Sequence, residues 1–72
     1  MNKKNKIKIV VNGRLLTVNI KFSLKNLIEK LKTPINKVAI ELNEEIVDKK
    51  KLNKIYLKNK DKIEVVHFIG GG

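Results

Sequence analysis

The residues best suited to chemistry are the triplet Gly70-Gly71-Gly72 at the end of the sequence, which holds three of its four glycines. Average sequences contain only about 7% glycine. A segment without side chains is thin and adopts almost any backbone angle, so it can enter a narrow cleft of another protein. Residues 69–72 extend over at most ~13 Å, which is enough to bring the α-carboxylate of Gly72 into a partner's pocket.

A carboxylate is a poor electrophile and reacts only after activation. If a partner converts it to an acyl-adenylate, a sulfur or nitrogen nucleophile can attack, and the unbranched α-carbon of Gly72 leaves that approach open. The alternative without a functional role is that these glycines belong to a truncated linker or are a remnant of cloning. Residues 70–72 are therefore predicted to be a flexible tail that threads Gly70 and Gly71 into a partner site.

The remaining reactive side chains are too few for catalysis. Ser23 and His67 are the only serine and the only histidine; a helix N-cap explains the first, and an ordinary strand position explains the second. The chain has no cysteine, which excludes disulfides and thiolate ligands, and one histidine cannot hold a metal alone. We expect no catalytic residue, no metal and no bound cofactor, so any reaction at Gly72 would depend on a partner enzyme.

Composition indicates one small cytoplasmic domain. Seventy-two residues allow a single core. No apolar run reaches the roughly 18 residues of a membrane span, and residues 7–11 are too short and charged for a signal peptide. We expect a protein that is monomeric when free and binds no membrane.

The net charge of +10 is typical of nucleic-acid binding. However, 16 of the 17 cations are lysine, which shares A/T-rich codons with the abundant asparagine and isoleucine, so a biased genome could supply the excess. Only three aromatic residues are present, whereas single-stranded nucleic acids are bound by stacking bases on aromatic side chains. Nucleic-acid binding therefore stays a minor alternative, and no nucleic-acid partner is expected.

Two alternating strands, residues 7–11 and 16–20, flank Asn12-Gly13, the strongest signal for a two-residue hairpin turn. A helix should start at the N-cap Ser23 and end at Thr33-Pro34. The side chains predicted to face inward from these elements are Ile7, Ile9, Val11, Leu16, Val18, Ile20, Leu24, Leu27, Ile28 and Leu31.

Further strands are predicted over residues 38–42, 46–47 and 62–69, with one helical turn within residues 49–58. This order predicts an α+β fold, with one main helix across one face of a mixed four- to five-stranded sheet and adjacent first and last strands. Residues 1–6 form a basic N-terminal extension and residues 7–69 the folded domain.

The last strand suggests a partner-binding surface. Ile63 and Val65 of this strand are predicted to face the helix. Because side chains alternate along a strand, Val66 and Phe68 face the opposite side of the sheet. Together with Val10 and Ile69 they are predicted to form an apolar patch beside the tail.

Two stretches, residues 42–47 (LNEEIV) and 62–72 (KIEVVHFIGGG), resemble the ubiquitin-like sulfur carriers, above all those of thiamine biosynthesis (the ThiS type). The resemblance covers residues 7–72 and implies a ubiquitin-like β-grasp fold. Glu44 and Lys60 stand where the family usually has glycine, so we expect each turn to be either strained or reshaped, without an effect on the terminal glycines. Molybdopterin-type carriers tend to have prolines before the terminal glycines, and this chain lacks them.

The resemblance implies that a ThiF-like enzyme adenylates Gly72 with ATP and Mg. A sulfur donor such as a cysteine desulfurase would then give a thiocarboxylate, and thiazole synthase (ThiG) would use that sulfur to build the thiazole ring of thiamine. The open alternatives are a molybdopterin-type carrier, a ubiquitin-like modifier or interaction module, and a nucleic-acid-binding domain.

Overall fold

The structure, a computed structural model, describes residues 5–68. Its strands and α-helix, in chain order, are β1 (Lys6–Val11), β2 (Arg14–Asn19), α1 (Leu24–Lys30), β3 (Val38–Leu42), β4 (Glu45–Ile46) and β5 (Lys62–His67). Short 3₁₀ helices occupy Ile35–Lys37 and Lys49–Lys54. The predicted tail and Ile69 lie outside the described residues.

The strands described form one mixed sheet in the order β2-β1-β5-β3-β4. β1 and β5 are parallel, whereas β1 with β2, β3 with β4 and β3 with β5 are antiparallel. The predicted α+β fold with adjacent first and last strands is therefore confirmed.

The first hairpin has the predicted turn. Val11 pairs with Arg14, which leaves Asn12 and Gly13 as the two loop residues. Their φ angles are 49° and 81°, the positive values that a type I′ turn requires at both positions. The prediction for Ile20 is wrong, because β2 ends at Asn19 and Ile20 is 48% exposed.

A capping box starts α1. The Ser23 hydroxyl accepts a hydrogen bond from the N–H of Asn26 at 3.0 Å, and the Asn26 side-chain oxygen accepts one from the N–H of Ser23 at 3.2 Å. Ser23 is thus the predicted N-cap, and the pair satisfies two amide donors that the helix start would otherwise leave free.

The helix ends earlier than Thr33-Pro34, the predicted boundary. Lys32 has a φ of 57°, and its N–H donates to the carbonyl oxygen of Glu29, while the N–H of Thr33 donates to that of Ile28. These are the paired bonds of a Schellman motif. Leu31 is consequently the C-cap and is 38% exposed, so its predicted inward position is wrong.

A single core joins the helix to one face of the sheet. The 3₁₀ helix Lys49–Lys54 adds Leu52 to this core, and Leu57 follows from the connection to β5. The remaining buried hydrophobic residues are Ile9, Val11, Val18, Leu24, Leu27, Ile28, Val38, Ile40, Ile63 and Val65. Apart from Ile20 and Leu31, the predicted inward positions lie in this core or pack against it.

Candidate functional site

The candidate site is the end of β5, because the glycine triplet follows this strand directly. β5 lies between β1 and β3 in the middle of the sheet. Its pairing with β3 extends from Ile63 to His67, whereas the parallel pairing with β1 covers only Lys62 and Ile63. The end of β5 therefore needs another support on the β1 side.

The side chain of Asn12 supplies that support. Its carbonyl oxygen accepts a hydrogen bond of 2.7 Å from the N–H of Val65, and its amide nitrogen lies 3.4 Å from the carbonyl oxygen of Val65. The N–H of Asn12 also donates to Ile63. One side chain thus continues the ladder beyond the point where β1 turns away. From the sequence, Asn12 was predicted only to be a turn residue.

Phe68, the last residue described, is held on the β3 side. Its N–H donates a 2.9 Å hydrogen bond to the carbonyl oxygen of Lys37. The Nζ atom of Lys49 lies 5.3 Å from the centroid of its ring, within the range of a cation–π interaction. This contact was not predicted, because 19 residues separate the partners in the chain.

The predicted apolar patch is only partly assembled. Val66 and Phe68 are 50% and 56% exposed, and Val66 lies opposite Ala39 of β3. Val10 instead pairs with Lys62, four residues before Val66 and hence about 13 Å away along the strand. Val10 therefore does not lie beside Val66, which corrects that part of the prediction, and Ile69 is outside the described residues.

A groove of about 500 Å³ lies on the hairpin side of the β5 end. Leu15, Leu16 and Leu31 contribute apolar side chains to it, and Arg14 and His67 contribute polar ones. Leu15 is 67% exposed, so this groove adds apolar surface that was not predicted. The adjacent pair Leu15-Leu16 was the available signal, since one of two neighbouring strand residues must face outward.

The two turns that depart from the usual glycines lie at the opposite end of β5. Glu44 and Lys60 have φ angles of 74° and 76°, in the left-handed region that favours glycine. The Asn43 side chain joins these turns by donating to the Asp61 carboxylate at 3.0 Å and accepting from the N–H of Lys62 at 2.9 Å. The expected strain is present, and it lies away from Phe68.

Within residues 5–68, no three His, Cys, Asp or Glu side chains come together as metal ligands would. In the same part of the chain, no helix has both the length and the apolar character needed to cross a membrane. The site can present the end of the chain to another protein. β5 is held on both sides and bordered by exposed apolar residues, and it is followed in the sequence by residues 69–72.

Comparison with known proteins gives matches over most of the chain. The family model described as the ThiS family matches residues 9–72. The thiazole synthase of Paramagnetospirillum magneticum is 36% identical over 66 residues, which are 92% of this chain. This chain spans only 20% of that protein's length.

Two further matches concern proteins of carrier size. The sulfur carrier protein ThiS of Bacillus subtilis is 46% identical over 35 residues, covering 49% of this chain and 53% of that protein. The crystal structure of a thiamine biosynthesis protein (ThiS) from Geobacter metallireducens superposes with a TM-score of 0.80 at 29% identity, and the match covers 92% of this chain and 100% of that one.

Proposed function

The chain belongs to the ThiS family, and from this membership we propose that it is the sulfur carrier of thiamine thiazole synthesis. The observation that carries the proposal is the family match over residues 9–72, which includes the whole glycine triplet. In this proposal the α-carboxylate of Gly72 bears the sulfur, and the chain is a co-substrate of its partners.

The proposed reaction has two steps at Gly72. A ThiF-like enzyme transfers AMP from Mg-ATP to the carboxylate and releases pyrophosphate. The terminal sulfur of a donor persulfide, such as that of a cysteine desulfurase, then displaces AMP to give an acyl disulfide. An external thiol cleaves its S–S bond, forming a disulfide with the donor cysteine and leaving a thiocarboxylate on Gly72. Glycine suits both steps, because the α-carbon carries no side chain to block the attack or to fill the enzyme's cleft.

The acceptor of the sulfur in this proposal is thiazole synthase (ThiG). The match to part of a Paramagnetospirillum magneticum thiazole synthase supports it, because that protein contains a carrier-like segment within its own chain. The exposed side chains of Val66 and Phe68 and the groove at Leu15 offer apolar surface around the base of the tail, where a partner would dock.

A reconstituted thiazole synthesis tests this proposal. Deletion of Gly71 and Gly72 should abolish thiazole formation and leave the melting temperature unchanged, since the core lies within residues 9–65. Deletion of Asn2 and Lys3 is the matched control: it shortens the chain equally outside the family match and should leave activity intact. Thiazole formation by the C-terminally shortened chain would contradict the proposal.

A further inference from the structure

Lys49 connects the base of the tail to the connection between α1 and β3. Its Nζ lies 5.3 Å from the centroid of the Phe68 ring, which is a cation–π distance. The same Nζ donates a 2.9 Å hydrogen bond to the carbonyl oxygen of Ile35. One ammonium group thus binds both Phe68, two residues before the tail, and the connection between α1 and β3.

The backbone of Phe68 is tied to the same connection through its hydrogen bond to Lys37. Because β5 ends at His67, the direction in which the chain leaves the sheet is set at Phe68. The backbone bond restrains one side of this residue, and the Lys49 contact restrains its ring. Together the two contacts hold both the backbone and the ring of Phe68 against the folded domain.

We propose that Lys49 is a positioning residue, which orients the segment after Phe68 for the enzyme that activates Gly72. This inference rests on the proposed function. An enzyme whose cleft accepts the tail binds only those carriers whose tail leaves in a suitable direction, so its apparent affinity falls with the fraction of such carriers. Once the tail is bound, the reacting geometry is the same with or without Lys49.

The matched variants are Lys49→Met and Lys50→Met. Each removes one positive charge from the 3₁₀ helix Lys49–Lys54 and keeps an unbranched side chain, but only the first removes the contact with Phe68. Loss of an exposed cation–π contact should raise the KM of the adenylating enzyme for the carrier about three-fold. We expect an unchanged kcat and a melting temperature lowered by no more than a few degrees, because Lys49→Met also removes the hydrogen bond to Ile35. Lys50→Met should have a near-normal KM.

Two further variants separate positioning from a general loss of charge. Lys49→Arg keeps a cation above the ring and should restore the wild-type KM. Phe68→Leu removes the ring, so that adding Lys49→Met to it should cause little further change, because both substitutions remove the same contact. Equal KM values for Lys49→Met and Lys50→Met, or additive effects in this cycle, would overturn the inference.

A measurement on the free carrier keeps the test independent of activity. The Nζ atom of Lys49 lies over the Phe68 ring, so the neighbouring ε-methylene protons should resonate upfield of those of Lys50 in the NMR spectrum, and Phe68→Leu should abolish the difference. Identical shifts for the two lysines would overturn the inference whatever the enzyme assay gives. Failure of the wild-type carrier to form a thiocarboxylate would instead contradict the proposed function.

Discussion

At the residue scale, several turns of this protein use side chains where glycine would be less strained. Lys21, Lys32, Glu44 and Lys60 all have positive φ angles, a conformation that costs roughly 1–2 kcal/mol for a residue with a Cβ atom. The only glycine in residues 5–68 is Gly13. Lysine and glutamate thus occupy positions where the backbone conformation favours glycine, and each of these residues lowers the free energy of unfolding.

Replacing Glu44 or Lys60 by glycine should therefore stabilise the fold. Relief of the strained φ outweighs the greater entropy of glycine in the unfolded chain, and the expected gain is about 0.5–1 kcal/mol for each substitution. The Glu44–Lys62 ion pair, with a 3.9 Å separation on the surface, adds little to the wild type. Urea denaturation measures the change.

Glu45→Gly is the control for these substitutions. Glu45 lies beside Glu44 but within strand β4, where glycine weakens a strand. The control should lower the free energy of unfolding, whereas the turn variants raise it. If Glu44→Gly and Glu45→Gly change the free energy of unfolding in the same direction, the effect of Glu44→Gly does not come from relief of backbone strain.

At the element scale, the local pattern predicted most of the architecture. The Asn12-Gly13 hairpin, the Ser23 cap and β3 over Val38–Leu42 all depend on neighbours within a few residues, and each is found as predicted. The two wrong predictions, for Ile20 and Leu31, concern the ends of β2 and α1. Lys21 and Lys32 have positive φ angles, which end these two elements although the hydrophobic pattern continues through Ile20 and Leu31.

The supports of the candidate site could not be predicted from spacing. Asn12 and Val65 are 53 residues apart in the chain, and Lys49 meets Phe68 only because the sheet places β5 beside β3. Such contacts follow from the assembled topology. The glycine triplet, by contrast, is visible in the sequence because its property is local.

The Asn12 side chain makes an element-scale prediction about the end of β5. Asn12→Gly keeps the positive φ of the turn but removes the acceptor of the Val65 N–H, so the protection of this amide against hydrogen exchange should fall at least several-fold. The free energy of unfolding should fall by about 1–2 kcal/mol. Asn12→Asp retains a side-chain oxygen and should retain the protection of the Val65 amide. Equal hydrogen exchange of this amide in both variants would contradict a hydrogen bond from it to the side chain of residue 12.

At the scale of the whole molecule, net charge opposes compactness. The chain carries 17 cations and 7 anions. Among the described residues the only ion pair is Lys62 with Glu44, so few attractions offset the repulsion between lysines. Glu41 and Glu64 also lie directly opposite each other in the β3–β5 ladder, an arrangement of like charges that destabilises a strand pair.

Added salt should consequently stabilise the protein. Raising the KCl concentration from ~0.01 M to ~0.15 M shortens the Debye length from about 30 Å to about 8 Å, which screens repulsion between separated lysines. The melting temperature should rise by a few degrees. Lys50→Gln, which removes one exposed cation, should show a smaller rise, and a melting temperature that falls with salt would mean that attraction dominates.

Sulfur carried at Gly72 changes the mass of the intact chain, which mass spectrometry measures. After incubation with an adenylating enzyme of the ThiF type, Mg-ATP and a sulfur donor, the carrier should gain the mass difference between one sulfur and one oxygen atom. Fragmentation should place this difference at Gly72. An unchanged mass, or products in which Gly72 is joined to a lysine of another protein, would contradict the sulfur-carrier account.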